Sequence, residues 1–486
     1  MNDTILIADQ WQPGANGHVL PVINPAYGTI LSTIAQADEQ DIDAAVQAAK
    51  TAFPAWSTIS GRERATILRR ASEIFRDRYL TETARLLTQE NGKPLNDSIK
   101  ECTYAADVIA FYAEESRRIT GTHFAGDLGA THSFVLKEPV GVVAAIVPWN
   151  FPVDLLAWKL GPGLAAGCTF VIKPSEEAPL ATLKFVQAFL DAGLPTGVLN
   201  VVTGDGKTGA ALVQHPDVQK IAFTGSVGVG AWIAEQAGRA MKRTTLELGG
   251  SAPFIVWRDA DLDAAVAQSA RRAFSHTGQI CISVNRILVH ESLFDAFVEK
   301  FAALTSRLRV TPDGLREPNA DMGPMMNAQS VNKVDHHVQD AVQHGASVLM
   351  GGDRLHGAEY ADNGYFYAPT VLVNLNQDML VMREETFGPV APIVKFNTLA
   401  EAIAIANSTP YGLAAYLYAN DVNVIYQATR GLKFGGIGVN VNDITDIRGP
   451  FGGTKMSGIG RELGEVGLDS YLETKHIRLA YRTATL

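Results

Sequence analysis

Four short stretches carry side chains that could cooperate on a carbonyl carbon. SHTGQICIS (275–283) places Cys281 shortly after Gly278, between an alanine-rich helical pattern and the apolar, strand-like RILVH (286–290). A thiol in that setting is a candidate nucleophile, and it needs something to hold a developing oxyanion and something to handle protons. VPWNFP (147–152) ends an apolar run with Asn150, whose side-chain amide is a competent oxyanion donor at the carboxyl end of a strand. LELGG (246–250) sets Glu247 between apolar residues before a glycine turn. Desolvation there raises a carboxyl pKa and suits a general base near neutrality. IKPSEEAP (172–179) puts Lys173 and Glu176 at another strand end, where ribose hydroxyls can be gripped.

Each feature has a plainer reading. An isolated cysteine is commonly a buried apolar side chain without chemistry, and Cys102 and Cys168 fit that description. Cys281 differs in standing at a glycine, where backbone can approach a ligand closely. His276 reads as a helix-end residue with a surface or capping role, and DHH (335–337) as a solvated helix face. The eleven histidines show no metal-ligand spacing. GDGKTG (204–209) suggests a phosphate loop, but Val201 stands where the first glycine of GxxxxGK[ST] is required. GSVGVG (225–230) matches the dinucleotide glycine pattern only loosely, yet it follows an apolar strand and opens a helix.

These residues need a scaffold, and the chain is long enough for more than one core at 486 residues. With 47% hydrophobic and 19% charged residues it reads as a packed globule. A net charge of −10 argues against nucleic acid or anionic membrane as partner. No apolar run has bilayer length, the N-terminus lacks a signal-peptide pattern, and three scattered cysteines form no disulfide framework. A cytoplasmic home is the expectation. Residues 38–120 read as helices, 120–139 as a glycine-punctuated ribbon, and 141 onward as repeated strand–helix units. Continuous apolar strands of that kind make a parallel sheet covered on both faces, with ligands at the strands' carboxyl ends.

In order along the chain, PWNFP, KPSE, FTGSVGVG, LELGG, GQICIS, EETFGPV and PFGGTKMSGIGRELG resemble the aldehyde dehydrogenase superfamily, as does the interval from Glu247 to Cys281. The resemblance implies an α/β fold with a Rossmann-type cofactor domain (1–119 and 139–249), an α/β catalytic domain (250–447) and a small β oligomerisation ribbon (120–138 and 465–486). It implies that Cys281 attacks an aldehyde, that Asn150 and the Cys281 N–H hold the oxyanion, and that Glu247 activates the water that releases the acid. NAD is the implied cofactor, with NADP as the second choice. Lys173, Ser175 and Glu176 would bind the adenosine ribose; Gly206, Phe223, Gly225 and Ser226 would flank the pyrophosphate and adenine. Trp149 and Leu248 would line the nicotinamide region, with Glu385 on its ribose and Phe387 beside it. Glu462 resembles a second, proton-relaying carboxylate, and no metal is implied. The ribbon implies a homodimer or homotetramer.

The aldehyde itself is not encoded in a motif. VDLLAW (153–158), Ile280, Ile282 and 440–449 are the expected wall. Relatives acting on succinic semialdehyde typically carry an Arg where this chain has Trp158, so an aldehyde without a carboxylate is expected. Arg448 keeps the semialdehyde alternative open. The rival classes are a catalytically retired family member and a cysteine hydrolase working without nucleotide.

Overall fold

The computed structural model of the chain describes residues 4–127 and 131–481. Residues 1–3 of the expected cofactor domain, and 128–130 and 482–486 of the expected ribbon, lie outside the described residues. Two sheets organise the rest. The first has eight strands, in the order Gly458–Ile459, Arg243–Leu248, Lys220–Gly225, Val142–Ile146, Thr169–Lys173, Leu199–Val201, Ile5–Ile7, Gln10–Gln12. Its five central strands are parallel. Strands from near the two ends of the chain close its edges antiparallel.

Strand sequence explains the layering. Every residue of Val142–Ile146 is buried, because alternate side chains point to opposite faces and both faces are covered. Val143 and Ala145 enter one core with Leu156, Leu160 and Phe170. Val142, Ala144 and Ile146 enter another with Ile42, Val46, Leu212 and Ile233. The helix Pro152–Ala166 is buried along its whole length, and it carries the turn after Val142–Ile146 into the heart of the molecule.

The second sheet has seven strands, in the order Ser347–Met350, Thr370–Val373, Val390–Phe396, Val284–His290, Ala252–Val256, Ala414–Tyr418, Gly436–Val439. All neighbours in it are parallel except the Ser347–Met350 edge. The ribbon is a three-stranded antiparallel sheet of Leu472–Ala480, Thr131–Pro139 and Thr122–Ala125. The expected ribbon boundary at 465 is too early: Gly464–Asp469 is a helix, and the strand begins at Leu472. Tyr112 explains the difference, since its hydroxyl donates to the Gly464 carbonyl at 3.0 Å and anchors that segment to the body.

Candidate active site

The thiol stands on a connection that is strained and tightly tied. After the helix Leu262–Phe274, His276, Thr277 and Gly278 have φ of +47°, +58° and +71°. Left-handed backbone at a bulky or β-branched residue costs of order 1–3 kcal/mol and persists only where surroundings enforce it. Here Thr277 Oγ1 donates to the Gly323 carbonyl at 3.0 Å, and Gln279 Oε1 accepts from Met326 N at 2.9 Å. Tyr416 donates to the Ile282 carbonyl at 3.0 Å. The close approach at Gly278 is to backbone rather than to a ligand, because a Cβ there would lie 2.1 Å from the Gly388 carbonyl oxygen.

A cavity of about 250 Å³ opens beside Cys281. It brings together nine of the expected residues: Trp149, Asn150, Gly225, Ser226, Glu247, Leu248, Cys281, Glu385 and Phe387. Lys173, Ser175, Glu176, Gly206 and Phe223 are not in its wall. Lys173 ends the strand next to Val142–Ile146 and pairs with Glu176 at 2.8 Å. Gly206 opens the helix Gly206–Gln214 behind the N-cap Asp205, and Phe223 packs beneath Gly225, where a Cβ would meet its ring at 2.4 Å.

Glu247 is 3% exposed, and neither carboxyl oxygen has a hydrogen-bond partner. Burial, then the charge of Glu462, holds its pKa well above the ordinary carboxyl value. Glu462 is itself tied to the buried Lys159 at 2.8 Å, and Lys159 also donates to Thr224 Oγ1 at 2.6 Å. Burial, with Glu385 and Glu247 nearby, pushes the Cys281 thiol up to about 12. Burial therefore disfavours charge on both the thiol and the carboxyl. Asn150, 4% exposed, donates one amide N–H to the Gln279 carbonyl at 3.1 Å. An amide has two such donors.

The other flank suits a dinucleotide. Ser226 caps the helix Val227–Arg239, and Gly228 in its first turn borders open space. Such a helix start favours phosphate. Glu385 Oε1 accepts from Gly250 N at 2.8 Å, and burial raises its pKa to about 7. Phe387 holds φ +56° and meets Trp149 edge-to-face at 5.6 Å.

Several assignments change. His276 is not a surface residue: it is 3% exposed between Trp149 and Phe151, with its pKa well below the usual value because of burial and Lys93. His337 is not solvated either, being 2% exposed against Thr386. Of the expected substrate wall only Leu155 lines the cavity, joined by Leu413 and Phe451, which the sequence reading missed. Ile280 and Ile282 belong to the core, and Trp158 meets Phe451 edge-to-face at 4.8 Å with its N–H donated to Asp154 at 2.8 Å. Arg448, which might have clamped an anion, is 80% exposed and makes two bonds to Asp446. Gln329, Ser330 and Lys333 line the cavity from the helix Ala328–Gln343. No motif marks them. Among the described residues no group of His, Cys, Asp or Glu could hold a metal, and no helix is long and apolar enough to cross a membrane.

Known proteins supply an independent comparison. The model of the aldehyde dehydrogenase family matches residues 11–477. The chain is 41% identical over 473 residues to succinate-semialdehyde dehydrogenase [NADP(+)] of Escherichia coli K12, covering 97% of this chain and 96% of the relative. It is 41% identical over 472 residues to glutarate-semialdehyde dehydrogenase of Pseudomonas putida, covering 97% and 96%. The structure of betaine aldehyde dehydrogenase from Staphylococcus aureus in complex with NAD+ superposes with a TM-score of 0.95 at 33% identity, over 98% of this chain and 94% of that one.

Proposed function

The chain belongs to the aldehyde dehydrogenase family, and from that premise we propose that Cys281, Asn150 and Glu247 are its nucleophile, oxyanion donor and general base. The protein is an oxidoreductase that converts aldehydes to carboxylic acids with NAD(P). The carrying observation is one cavity wall that presents a thiol, an amide with a spare N–H and a carboxyl whose oxygens are both free.

The thiol releases its proton to solvent water as sulfur bonds to the aldehyde carbon, and the carbonyl π pair moves to oxygen. Asn150 and the Cys281 N–H stabilise that oxygen in a thiohemiacetal. Bound NAD(P) supplies the acceptor for the hydride that leaves this carbon. The carbonyl re-forms as a thioester on Cys281. Glu247 takes a proton from water as it attacks the thioester, and the acid departs while sulfur recovers its proton. For the cofactor, Trp149, Leu248, Glu385 and Phe387 face the reacting end, while Gly225 and Ser226 open the helix start for the pyrophosphate. Lys173, Ser175, Glu176, Gly206 and Phe223 serve the adenosine half. Glu176 favours NAD, since a 2′-phosphate would meet like charge.

For substrate, the reading supported best is an aldehyde without a distal carboxylate. Among the described residues the only cation in the cavity wall is Lys333, which donates to the Glu385 carbonyl at 2.5 Å on the cofactor side. The names of the E. coli and P. putida relatives favour the second reading, a semialdehyde bearing a carboxylate. Thr122–Ala125 is an exposed ribbon edge of the kind that seeks a partner strand, which supports a homodimer or homotetramer; a cytoplasmic location remains part of the proposal. The test is aldehyde with and without NAD, on wild type and Cys281→Ser. Nucleotide-dependent NADH formation lost by at least about 10³-fold in the variant is expected. Turnover without nucleotide would identify a hydrolase instead, and no turnover with any aldehyde a retired member.

A further inference from the structure

The segment Trp149–Phe151 lies between a strand and a helix, and its carbonyls find their partners from an unexpected direction. Asn91 Nδ2 donates to the Trp149 carbonyl at 2.7 Å, and Lys93 Nζ to the Asn150 carbonyl at 2.7 Å. Lys93 also pairs with Glu101 at 2.5 Å and stands 3.9 Å over the Phe151 ring. The other oxygen of Glu101 accepts from Val153 N at 3.0 Å and Asp154 N at 3.4 Å, in the first turn of Pro152–Ala166. Both charged side chains are 0% exposed. We propose that Asn91, Lys93 and Glu101 are positioning residues that set the Asn150 amide against Cys281, a proposal that rests on the oxyanion role given to Asn150 above.

The frame can do this because it is fixed on its own side. Asn91 ends the helix Leu80–Asn91 and Glu101 lies in Leu95–Glu115. Gly92 between them has φ +86°, and a Cβ there would meet the Pro324 ring at 2.4 Å. Leu95 N donates to the Gly314 carbonyl at 3.1 Å. The amide is thus held at both ends, its side chain by Gln279 from the thiol's own connection and its backbone by Lys93. A buried ion pair used merely to fill space is no more stable than apolar residues of the same volume. The remaining bonds of this pair run to the turn that carries Asn150, or to the helix that turn begins. Displacing a reacting group by about 1 Å costs about 10²-fold in rate.

The experiment is a mutant cycle read by the pre-steady-state NADH burst, which reports acylation. Lys93→Met/Glu101→Gln removes both charges together and keeps their volume. It is expected to slow the burst by about 10-fold to 10²-fold, with the Kd for NAD unchanged. In an Asn150→Ala background the same pair of changes is expected to slow the burst by less than about twofold, since residues acting as a unit are not additive. An equal loss in both backgrounds would show a merely structural role and overturn the proposal, as would no loss in the wild-type background. A burst unaffected by Asn150→Ala alone would overturn the oxyanion reading, and this proposal with it. If the double variant does not fold, Asn91→Ala removes one neutral donor and is read by the same cycle, with an expected loss of about fivefold to tenfold that vanishes without the Asn150 amide.

Discussion

Replacing Glu247 by Gln separates the two halves of the reaction. The amide keeps the shape of the carboxyl and cannot take a proton from water. Hydride departure should continue, while thioester hydrolysis should slow. General-base catalysis is worth about 10²–10⁴-fold, and the surroundings place this site within that range. Among the described residues the cavity wall holds one other carboxyl, Glu385, which is bonded to Gly250 N on the cofactor side, and Glu462 is tied to Lys159. A loss of about 10³-fold follows, or about 4 kcal/mol at 1.36 kcal/mol per decade. Burial already disfavours charge on this carboxyl, so a neutral amide should change stability by less than about 1 kcal/mol. Stopped-flow NADH absorbance is the assay. The variant should give a burst of about one NADH per site and then a slow steady rate, because a covalent intermediate accumulates. The pH profile has a definite sign: a raised pKa means Glu247 holds its proton at low pH, so wild-type hydrolysis rises with pH. The variant should lose that rise. Steady turnover within about threefold of wild type, with the pH rise intact, would refute the assignment.

Glu176→Gln should raise kcat/KM for NADP relative to NAD by about tenfold, a modest figure because the carboxylate is 39% exposed and screened. An unchanged ratio would remove Glu176 from cofactor selection. Gly278→Ala should cost about 3 kcal/mol or more, since both φ and the Gly388 carbonyl oppose a Cβ, and a Tm within a degree of wild type would contradict this. Arg448→Ala should change kcat/KM for succinic semialdehyde by less than about twofold, as expected for an exposed side chain already paired with Asp446. A tenfold loss would make Arg448 the clamp and favour the semialdehyde reading.

The parts of the site legible in the sequence are those where local chemistry and backbone geometry coincide. Asn150, Lys173, Glu247 and Ser226 stand at or just beyond the ends of apolar strands, and a parallel sheet delivers whatever stands at those ends to one place. The illegible parts are polar residues whose burial is decided by distant packing. Lys93 stands on a short link between helices that no motif marks, and it is enclosed by Phe151 and the turn that carries it. His337 could have been recovered, because it falls on the same helical stripe as the buried Val331, Val334, Val338 and Ala341. The three left-handed residues before Cys281 left only Gly278 as a trace, since His and Thr give no hint of such backbone. The cavity's Leu413 and Phe451 arrive from segments far along the chain.

The edge of the first sheet has a consequence for how the protein is made. The strand carrying Glu247 has the Lys220–Gly225 strand on one side, and on the other only Gly458–Ile459. Ser457 fastens that edge by donating to the Gly249 carbonyl across 208 residues of sequence. At about 5–20 residues per second, a ribosome needs about 10–40 s to synthesise that interval. Through that time Arg243–Leu248 presents an unpaired edge, a hazard for aggregation, and Glu462 has not yet reached Lys159. A nascent chain therefore exposes its thiol well before the base beside it is framed. The frame around the base is therefore completed only once nearly the whole polypeptide has been synthesised.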